Sequence, residues 1–183
     1  NPLNNCVGAL DGIAIRIAEP ARGAVPNTSS YYNRKGFFSL NVQTVCDAQY
    51  QFLYVSSITT GSTHDSTALG MSALGGMLAR ESNTLLQGFW IAGDSAYVCT
   101  NKIVTPWPKK GLTVWKDSFN YWPSSARIRI EQAFGILVAR WGVFWRPLKV
   151  TLGRAVTVVM TCSKLHNYII SHIGDRKSTR LNS

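Results

Sequence analysis

Apolar residues near the start of the chain form two short runs that are typical of β-strands. The runs CVGAL (6–10) and IAIRI (13–17) flank the dipeptide Asp11-Gly12. Asp-Gly is a strong signal for a tight turn between two strands. The pattern therefore predicts two short strands with a turn or tight bend at Asp11-Gly12.

Three further segments in the first half of the chain also have strand patterns. Residues 36–46 and 51–58 alternate between apolar and polar positions, which predicts two strands. A loop rich in Pro, Gly, Asn and Ser precedes them at residues 20–30. The apolar stretch 88–93 predicts a buried strand that ends just before Asp94.

Helical patterns dominate the second half of the chain. A helix is expected from about residue 61 to residue 80, with Ser62 or Thr63 as its N-terminal cap. A strong helix is predicted over 125–141, and a last apolar helix over 154–173. In the helix predicted over 125–141, four apolar residues recur at helical spacing and are expected to form one buried face, namely Ile130, Phe134, Leu137 and Trp141.

The segments between these helices are expected to be irregular or extended. Residues 101–123 contain three prolines, and only the piece LTVW (112–115) is strand-like. Residues 146–150 are expected to be extended. Strands followed by alternating helices and strands predict a mixed α/β domain.

The amino-acid composition also indicates which kind of molecule the protein binds. The 183 residues include 19 Lys and Arg against 9 Asp and Glu, which gives a net charge of +10. A length of this order corresponds to one domain with a real core, and such a basic surface favours a polyanion such as nucleic acid. The alternative is a basic protein without that partner. The four cysteines form no CxxC pair, so a reducing, intracellular compartment is expected, with no membrane span.

The two ends of the chain require separate treatment. The sequence begins at Asn1 without a methionine, which indicates a fragment. Residues 175–183 break the preceding pattern and are interpreted as the translation of a sequencing adapter rather than native protein. We therefore assign residues 1–174 to one domain, which remains strongly basic.

Three of the acidic residues have apolar neighbours in the sequence, namely Asp11, Asp94 and Glu131. Carboxylates beside buried elements are costly unless they are paired or bind a metal. Each also has a structural explanation. Asp11 could form the Asp-Gly turn, Asp94 could cap or turn the chain after its strand, and Glu131 could pair with Arg127 one helical turn earlier.

The same three acids could instead converge on metal ions. Mg²⁺ and Mn²⁺ prefer carboxylate oxygens and keep waters available for a phosphate substrate. Two such ions about 4 Å apart can activate the attacking oxygen and stabilise the leaving oxygen of a phosphodiester. This chemistry requires concentrated negative charge within a protein that otherwise attracts nucleic acid.

An ordered set of motifs resembles the DDE nuclease domain of PIF/Harbinger transposases and their domesticated relatives. The resemblance covers residues 5–172, and the ordered set is far more specific than any single motif. The motifs are ALDGIAI, YYNRKGFFSLNVQTVCD, GSTHDS, IAGDSAY, RIRIEQAFGIL and KLHNYI.

The resemblance implies an RNase H-like fold, in which helices flank a mixed sheet. It also implies that Asp11, Asp94 and Glu131 are the catalytic residues and bind two Mg²⁺ or Mn²⁺ ions. Asp65 of GSTHDS is interpreted as a helix-start residue or as support for the site, with direct metal contact as the alternative. His166 and Asn167, on the last helix, are interpreted as a polar pair that supports the core.

The resemblance further implies contacts with DNA. The side chains expected to contact DNA are those of Arg34, Lys35, Lys109, Lys110 and Arg127, and a solvated loop is the alternative for the first two. Arg127 could orient Glu131 or bind the scissile phosphate. Packing is favoured over base stacking for a set of three tryptophans, Trp107, Trp115 and Trp122.

One departure from the family pattern lies beside the first acid. Family members usually have Thr and often His after the Asp-Gly pair, whereas this chain has Ile13 and Ala14. The carboxylate is retained, but hydrogen bonding near it is lost. The resemblance therefore implies the fold more strongly than it implies activity.

The function expected from the sequence is that of a metal-dependent DNA endonuclease and strand transferase. The main alternative is a domesticated, inactive descendant that binds DNA or a protein. A glycosidase with paired carboxylates is disfavoured by the charge. A nuclear location and a homo-oligomer are expected, as is recognition of transposon ends by a helix-turn-helix module, which the fragment lacks, or by a Myb-like partner protein.

Overall fold

A mixed β-sheet forms the centre of the structure. The structure is a computed structural model that describes residues 4–80 and 85–181, with side chains described as far as residue 172. Within these ranges the sheet has five strands in the order β3-β2-β1-β4-β5. β1 is antiparallel to β2 and parallel to β4. The strands are β1 (Cys6–Arg16), β2 (Ser39–Cys46), β3 (Phe52–Thr60), β4 (Trp90–Ala92) and β5 (Ile103–Val104).

Helices flank the sheet, which confirms the expected RNase H-like α/β class. The helices are α1 (Asp65–Met71), α2 (Ala73–Ala79), α3 (Val114–Arg140) and α4 (Leu152–Leu181). The last of them continues beyond the predicted end at residue 173. Within the described ranges, no helix is long and apolar enough to cross a membrane.

β1 is a single continuous strand, so the turn predicted at Asp11-Gly12 is wrong. Pairing with β2 runs through both residues, with Asp11 opposite Thr44 and Gly12 opposite Gln43. A Cβ atom at Gly12 would collide with the Asp65 carboxylate and the Gln43 side-chain amide. The glycine is therefore explained by close approach of polar side chains and not by a turn.

Alternating residues of the central strands enter two separate cores. Ala9 and Ile15 of β1 belong to the core shared with α3 and α4, where Ile130 and Leu137 are buried as predicted. Leu10 of β1 belongs to the second core, beneath α1 and α2. Odd-numbered positions of β1 from Ala9 to Ile15 therefore face α3, and the strand period determines which helix each side chain can reach.

The helix predicted over 61–80 consists of two short helices, and its predicted caps are wrong. His64, rather than Ser62 or Thr63, occupies the N-cap position of α1. Ser72 adopts an extended conformation, and its Oγ accepts a hydrogen bond from Gly75 N at 3.1 Å, which caps α2. This serine cap separates two stretches whose glycines weaken a continuous helix.

α3 begins eleven residues earlier than the predicted start at Ser125, and the predicted strand over 112–115 is wrong. Val114 is already helical, and Pro123 lies buried inside the helix. A proline removes a backbone donor, so the sequence pattern argues for a boundary there. The first turns are held in place by Asn120, whose side-chain amide donates to Trp107 O and whose Oδ1 accepts from Trp107 N.

The segment after α3 is extended beside β1, as predicted for residues 146–150. Leu148 forms a parallel bridge with Ile17. Leu148 N donates to Arg16 O, and Ala18 N donates to Leu148 O, both at 3.0 Å. These bonds attach the connection between α3 and α4 to the end of β1.

His166 and Asn167 attach α4 to the turn between β2 and β3. The Asn167 side chain accepts from Phe52 N at 2.7 Å and donates to Phe52 O at 2.8 Å. His166 is fully buried, with its Nε2 2.8 Å from Tyr50 O and its ring against Phe52. The pair supports the core, as interpreted from the sequence.

Replacing Asn167 by Ala should destabilise the fold. The substitution leaves the Phe52 N–H and C=O without their side-chain partner, which costs about 1–3 kcal/mol in free energy of unfolding. Urea denaturation measures the effect. Ser171→Ala, at an exposed position one turn further along α4, is the control and should change stability by less than about 0.5 kcal/mol. Equal stability of Asn167→Ala and the parent chain would contradict the role assigned to this contact.

Acidification should destabilise the chain through His166. Burial, and to a smaller extent the nearby Arg140 charge, lowers the pKa of His166, while its bond to Tyr50 O opposes the shift. In the unfolded chain His166 therefore binds a proton below about pH 6.5, whereas in the folded chain it stays neutral to a lower pH. Stability contributed by neutral His166 is complete above that pH and falls as the pH drops towards the folded pKa.

Urea unfolding at pH 7.5 and pH 5.5 measures this effect, with a slope of up to about 1.4 kcal/mol per pH unit. The part of the slope due to His166 should disappear in His166→Asn and persist in His172→Asn, since His172 is exposed. An unchanged slope in His166→Asn would refute the assignment.

Candidate active site

The register between β1 and β4 brings Asp11 and Asp94 to the same level of two adjacent strands. Ala9 pairs with Ala92 in a parallel ladder, and each aspartate lies two residues further along its chain. Paired residues share a face of the sheet and alternate residues return to it, so both carboxylates emerge on the side of α3. Neighbouring strands are about 4.8 Å apart, which places the two groups close together.

Asp94 lies beside Asp11 and also forms the turn that follows β4. Its Oδ1 accepts a hydrogen bond from Ala96 N at 2.9 Å, and its backbone oxygen accepts from Tyr97 N at 3.2 Å. A Cβ atom at Gly93 would lie 3.2 Å from side-chain atoms of Ile103 and Tyr97, so a glycine suits the close packing just before it. The turn proposed from the sequence therefore exists and fixes where the carboxylate lies.

Arg127 of α3 bridges the other two members of the predicted triad. Its Nη2 lies 3.6 Å from Asp11 Oδ2 and 3.3 Å from Glu131 Oε1. The Glu131 side chain is 60% exposed, whereas those of Arg127 and Asp11 are about one-fifth exposed. The pairing of Arg127 with Glu131, considered from the sequence, is present, and the same guanidinium also reaches Asp11.

Asp65 approaches the site from the opposite face of the sheet. As the first residue of α1, it lies against Gly12, immediately after Asp11. Its Oδ1 accepts hydrogen bonds from Asn41 Nδ2 and Gln43 Nε2, both at 2.9 Å. These contacts agree with the interpretation of Asp65 as a helix-start residue that supports the site.

Asn41 and Gln43 were not identified from the sequence as parts of the site. Gln43 Oε1 accepts a hydrogen bond from Tyr97 Oη at 2.7 Å, and Gln43 Nε2 donates to Asn41 Oδ1 at 2.8 Å. Every residue of β2 is buried. Two amide side chains at alternating positions of such a strand are a signal that could have identified them, because buried polar groups require partners.

The site accumulates negative charge around Asp11. Burial raises the pKa of the Asp11 carboxyl, and the charges of Asp94 and Asp65 raise it further, while the Gly12 N–H and Arg127 oppose the shift. Burial also raises the pKa of Tyr97, with contributions from the same three aspartates. Tyr97 therefore remains a neutral hydrogen-bond donor to Gln43.

The donor chemistry of this cluster suits a hard divalent cation. Oxygen ligands from carboxylates are those that Mg²⁺ and Mn²⁺ prefer, and a cation would offset the charge that raises the pKa of Asp11. Within residues 4–80 and 85–172, no three His, Cys, Asp or Glu side chains converge closely enough to hold a metal ion. The residue types thus fit the predicted ions, while Arg127 lies between Asp11 and Glu131.

Two concavities flank the acidic cluster, and each contains residues expected to contact DNA. A cleft of about 760 Å³ contains Asp94, Lys109 and Arg127 on its walls. A cavity of about 110 Å³ contains Arg34 and Lys35. Lys110 follows Lys109 as an exposed residue outside the lining of either concavity.

The two residues that depart from the family pattern lie beside the smaller cavity. Ile13 and Ala14 both line it, together with Gly12 and Asp65. Ile13 also packs against the core shared with α3 and α4. Two apolar residues therefore form part of the wall of this cavity.

The chain is similar to known proteins over most of its length. The family described as DDE superfamily endonuclease matches residues 10–167. The chain is 30% identical to the Arabidopsis thaliana protein named "Protein ALP1-like", over 92% of the chain and 44% of that protein. It is 26% identical to the proteins named "Putative nuclease HARBI1" of mouse and human, in each case over 91% of the chain and 46% of the relative.

The chain thus spans less than half the length of these curated relatives. No solved structure gives a significant match. The family match covers most of the chain, and together with these relatives it confirms the family resemblance expected from the sequence motifs. The chain belongs to the DDE superfamily endonuclease family.

Proposed function

We propose that residues 1–174 are the catalytic domain of a divalent-metal-dependent DNA endonuclease and strand transferase. The observation that carries the proposal is the parallel register of Ala9 with Ala92, which brings Asp11 and Asp94 together beside α3. Membership of the DDE endonuclease family supports it. Residues 175–183 are proposed to be non-native.

The proposed ligands of two Mg²⁺ or Mn²⁺ ions are Asp11, Asp94 and Glu131. Asp65 is proposed as a supporting residue, because its Oδ1 already accepts two amide hydrogen bonds. When bound, such ions activate the attacking oxygen and stabilise the leaving oxygen of a phosphodiester. Glu131 is exposed and held by one ion pair, so its side chain can change rotamer at little cost.

Arg127 is proposed to contact the scissile phosphate. It lies between Asp11 and Glu131, and its Nε is buried without a hydrogen-bond partner among the described residues. A guanidinium can pair with two phosphate oxygens at once. Arg127 could therefore exchange its carboxylate partners for the substrate and orient the phosphodiester over the acids.

The remaining basic residues are proposed to hold the DNA backbone. Lys109 lines the cleft with Asp94, and Arg34 and Lys35 line the cavity beside Asp65. Lys110 is exposed next to Lys109. Contacts of this kind neutralise phosphates without reading sequence, so binding should weaken steeply with salt.

The proposed reaction has two steps. In the first, a water oxygen attacks the phosphorus at a transposon end, and the bond from phosphorus to the 3′-oxygen breaks to leave a free 3′-hydroxyl. In the second, that 3′-hydroxyl attacks a phosphodiester of target DNA, which forms one bond to phosphorus and releases another 3′-hydroxyl. Recognition of the ends is assigned to a helix-turn-helix module or a Myb-like partner protein, with a homo-oligomer acting in the nucleus.

A second function is favoured by specific observations at the site. Arg127 already forms ion pairs with Asp11 and Glu131, and apolar Ile13 and Ala14 line the cavity that also contains Gly12 and Asp65. Such a site is compatible with a domesticated descendant that binds DNA or a protein without cutting DNA. Metal binding separates the two functions.

Replacing Asp94 by Asn should abolish cleavage. The substitution keeps the shape and removes the charge, so Mg²⁺-dependent nicking of plasmid DNA should fall by about a hundredfold or more. Binding of DNA should persist. Asp117→Asn is the matched control, since Asp117 lines the same cleft and belongs to no proposed ligand set. An Asp94→Asn protein that cuts DNA with Mg²⁺ at the rate of the parent chain would refute the assignment.

Mn²⁺ should raise the melting temperature of the chain. An ion present at ten times its Kd stabilises the folded state by about 1.4 kcal/mol, or about 3 °C or more for a domain of this size. The shift should be lost in Asp11→Asn and retained in Asp117→Asn. Differential scanning calorimetry with Mn²⁺ and with EDTA measures it, independently of cleavage. Absence of a shift in the parent chain would instead favour the inactive descendant.

A further inference from the structure

Trp107 lies at the surface with its backbone held by hydrogen bonds. The sequence favours packing of this side chain over stacking on bases. The residue is 43% exposed, although prolines flank it on both sides. The side chain of Asn120 bonds both the N–H and the C=O of Trp107, at 2.7 and 3.0 Å. Flanking prolines restrict the backbone further. An aromatic side chain whose backbone is fixed in this way loses little entropy when it binds a partner.

A second tryptophan and a lysine complete an aromatic surface at this position. The rings of Trp107 and Trp115 meet edge to face with centroids 6.0 Å apart, and Trp115 is 61% exposed. The ammonium of Lys116 lies 4.3 Å from the Trp107 ring centroid and 5.7 Å from that of Trp115. We call these three residues the tryptophan wall.

The tryptophan wall borders the cleft that contains the catalytic candidates. Trp107 lines this cleft together with Lys109, Asp94 and Arg127. Tyr121, which is 64% exposed, lines it as well. Aromatic faces and positive charges are thus interleaved within the concavity where the scissile phosphate is proposed to lie.

We propose that the tryptophan wall stacks unpaired nucleobases of the DNA strand next to the scissile phosphate. The inference rests on the proposed function and specifies its substrate as DNA that is locally single-stranded at the cleavage position. Charge complementarity supports this occupant, because Lys116 lies against the rings, Lys109 lines the same cleft as Trp107, and the chain carries a net charge of +10. Alternating basic and aromatic groups are the usual platform for single strands.

The geometry favours unpaired bases over an intact duplex. Both faces of a base inside a duplex are covered by its neighbours, so a tryptophan ring can stack only on a base that has left the helix or lies at an end. Such stacking is worth about 1–3 kcal/mol per base and tolerates any sequence. The wall therefore favours strand separation at the site without any sequence-specific contact.

The test compares two fluorescein-labelled duplexes of the same length, one fully paired and one with a short unpaired segment. Fluorescence anisotropy in EDTA measures the dissociation constant without cleavage. The parent chain should prefer the duplex with the unpaired segment. Trp107→Ala should weaken binding to that duplex by about tenfold, since stacking on one base is lost. Trp107→Phe should retain most of the affinity, which separates loss of stacking from loss of folding.

Trp145→Ala is the matched control. Trp145 is 68% exposed and follows the C-terminal end of α3, whereas Trp107 contacts the first turns of that helix. This variant should bind both duplexes as the parent chain does, within about twofold. Circular dichroism of each variant checks folding.

Two results would overturn the inference alone: equal affinity of the parent chain for both duplexes, or an equal loss on both duplexes in Trp107→Ala. In either case binding to the paired duplex and metal-dependent cleavage would still support the proposed function. Failure of the parent chain to bind either duplex would overturn both proposals.

Discussion

The parallel pairing of β1 with β4 is the constraint on which the candidate site depends. One bridge, Ala9 with Ala92, fixes the level and the face at which Asp11 and Asp94 emerge. A shift of one residue would turn one carboxylate to the other face of the sheet, because side chains alternate with period two. The buried neighbours Leu10 and Ile91 prevent that shift, since they would have to leave their core. Packing of apolar side chains thus determines where the acids lie.

The position of Asp11 within the sheet explains why its negative charge requires stabilising partners. Asp11 lies in the middle of a paired strand, where burial raises its pKa and neighbouring carboxylates raise it further. A buried charge of this kind is tolerated when hydrogen bonds and a counter-charge accompany it. The Gly12 N–H and Arg127 supply both. A divalent cation could replace the charge of Arg127 beside Asp11, and a phosphate could replace the carboxylate as the partner of Arg127.

The sequence predicted the fold class, the buried face of α3 and the extended residues 146–150, because apolar periodicity reports directly on burial. It did not predict the continuous β1, because the Asp-Gly signal is local, whereas the need for glycine arises from contact with Asp65 and Gln43. It also missed the polar network of β2 for the same reason. The positions of Asn41 and Gln43 are explained by partners that are distant in the chain. Local patterns carry little information about such contacts.

The contacts of Arg127 bear on both proposed functions of this chain, an active nuclease and an inactive descendant. Its guanidinium offsets Asp11 and Glu131 in the described structure, as a cation would. An ion that binds these carboxylates must release Arg127, and the released guanidinium needs a new anionic partner because it is partly buried. A phosphodiester in the adjacent cleft would be that partner. Metal and DNA would then bind with positive coupling, each removing a cost of binding the other. An inactive descendant could keep the arginine pairs permanently, so under the proposed function the exchange of partners at Arg127 would distinguish a nuclease from an inactive relative.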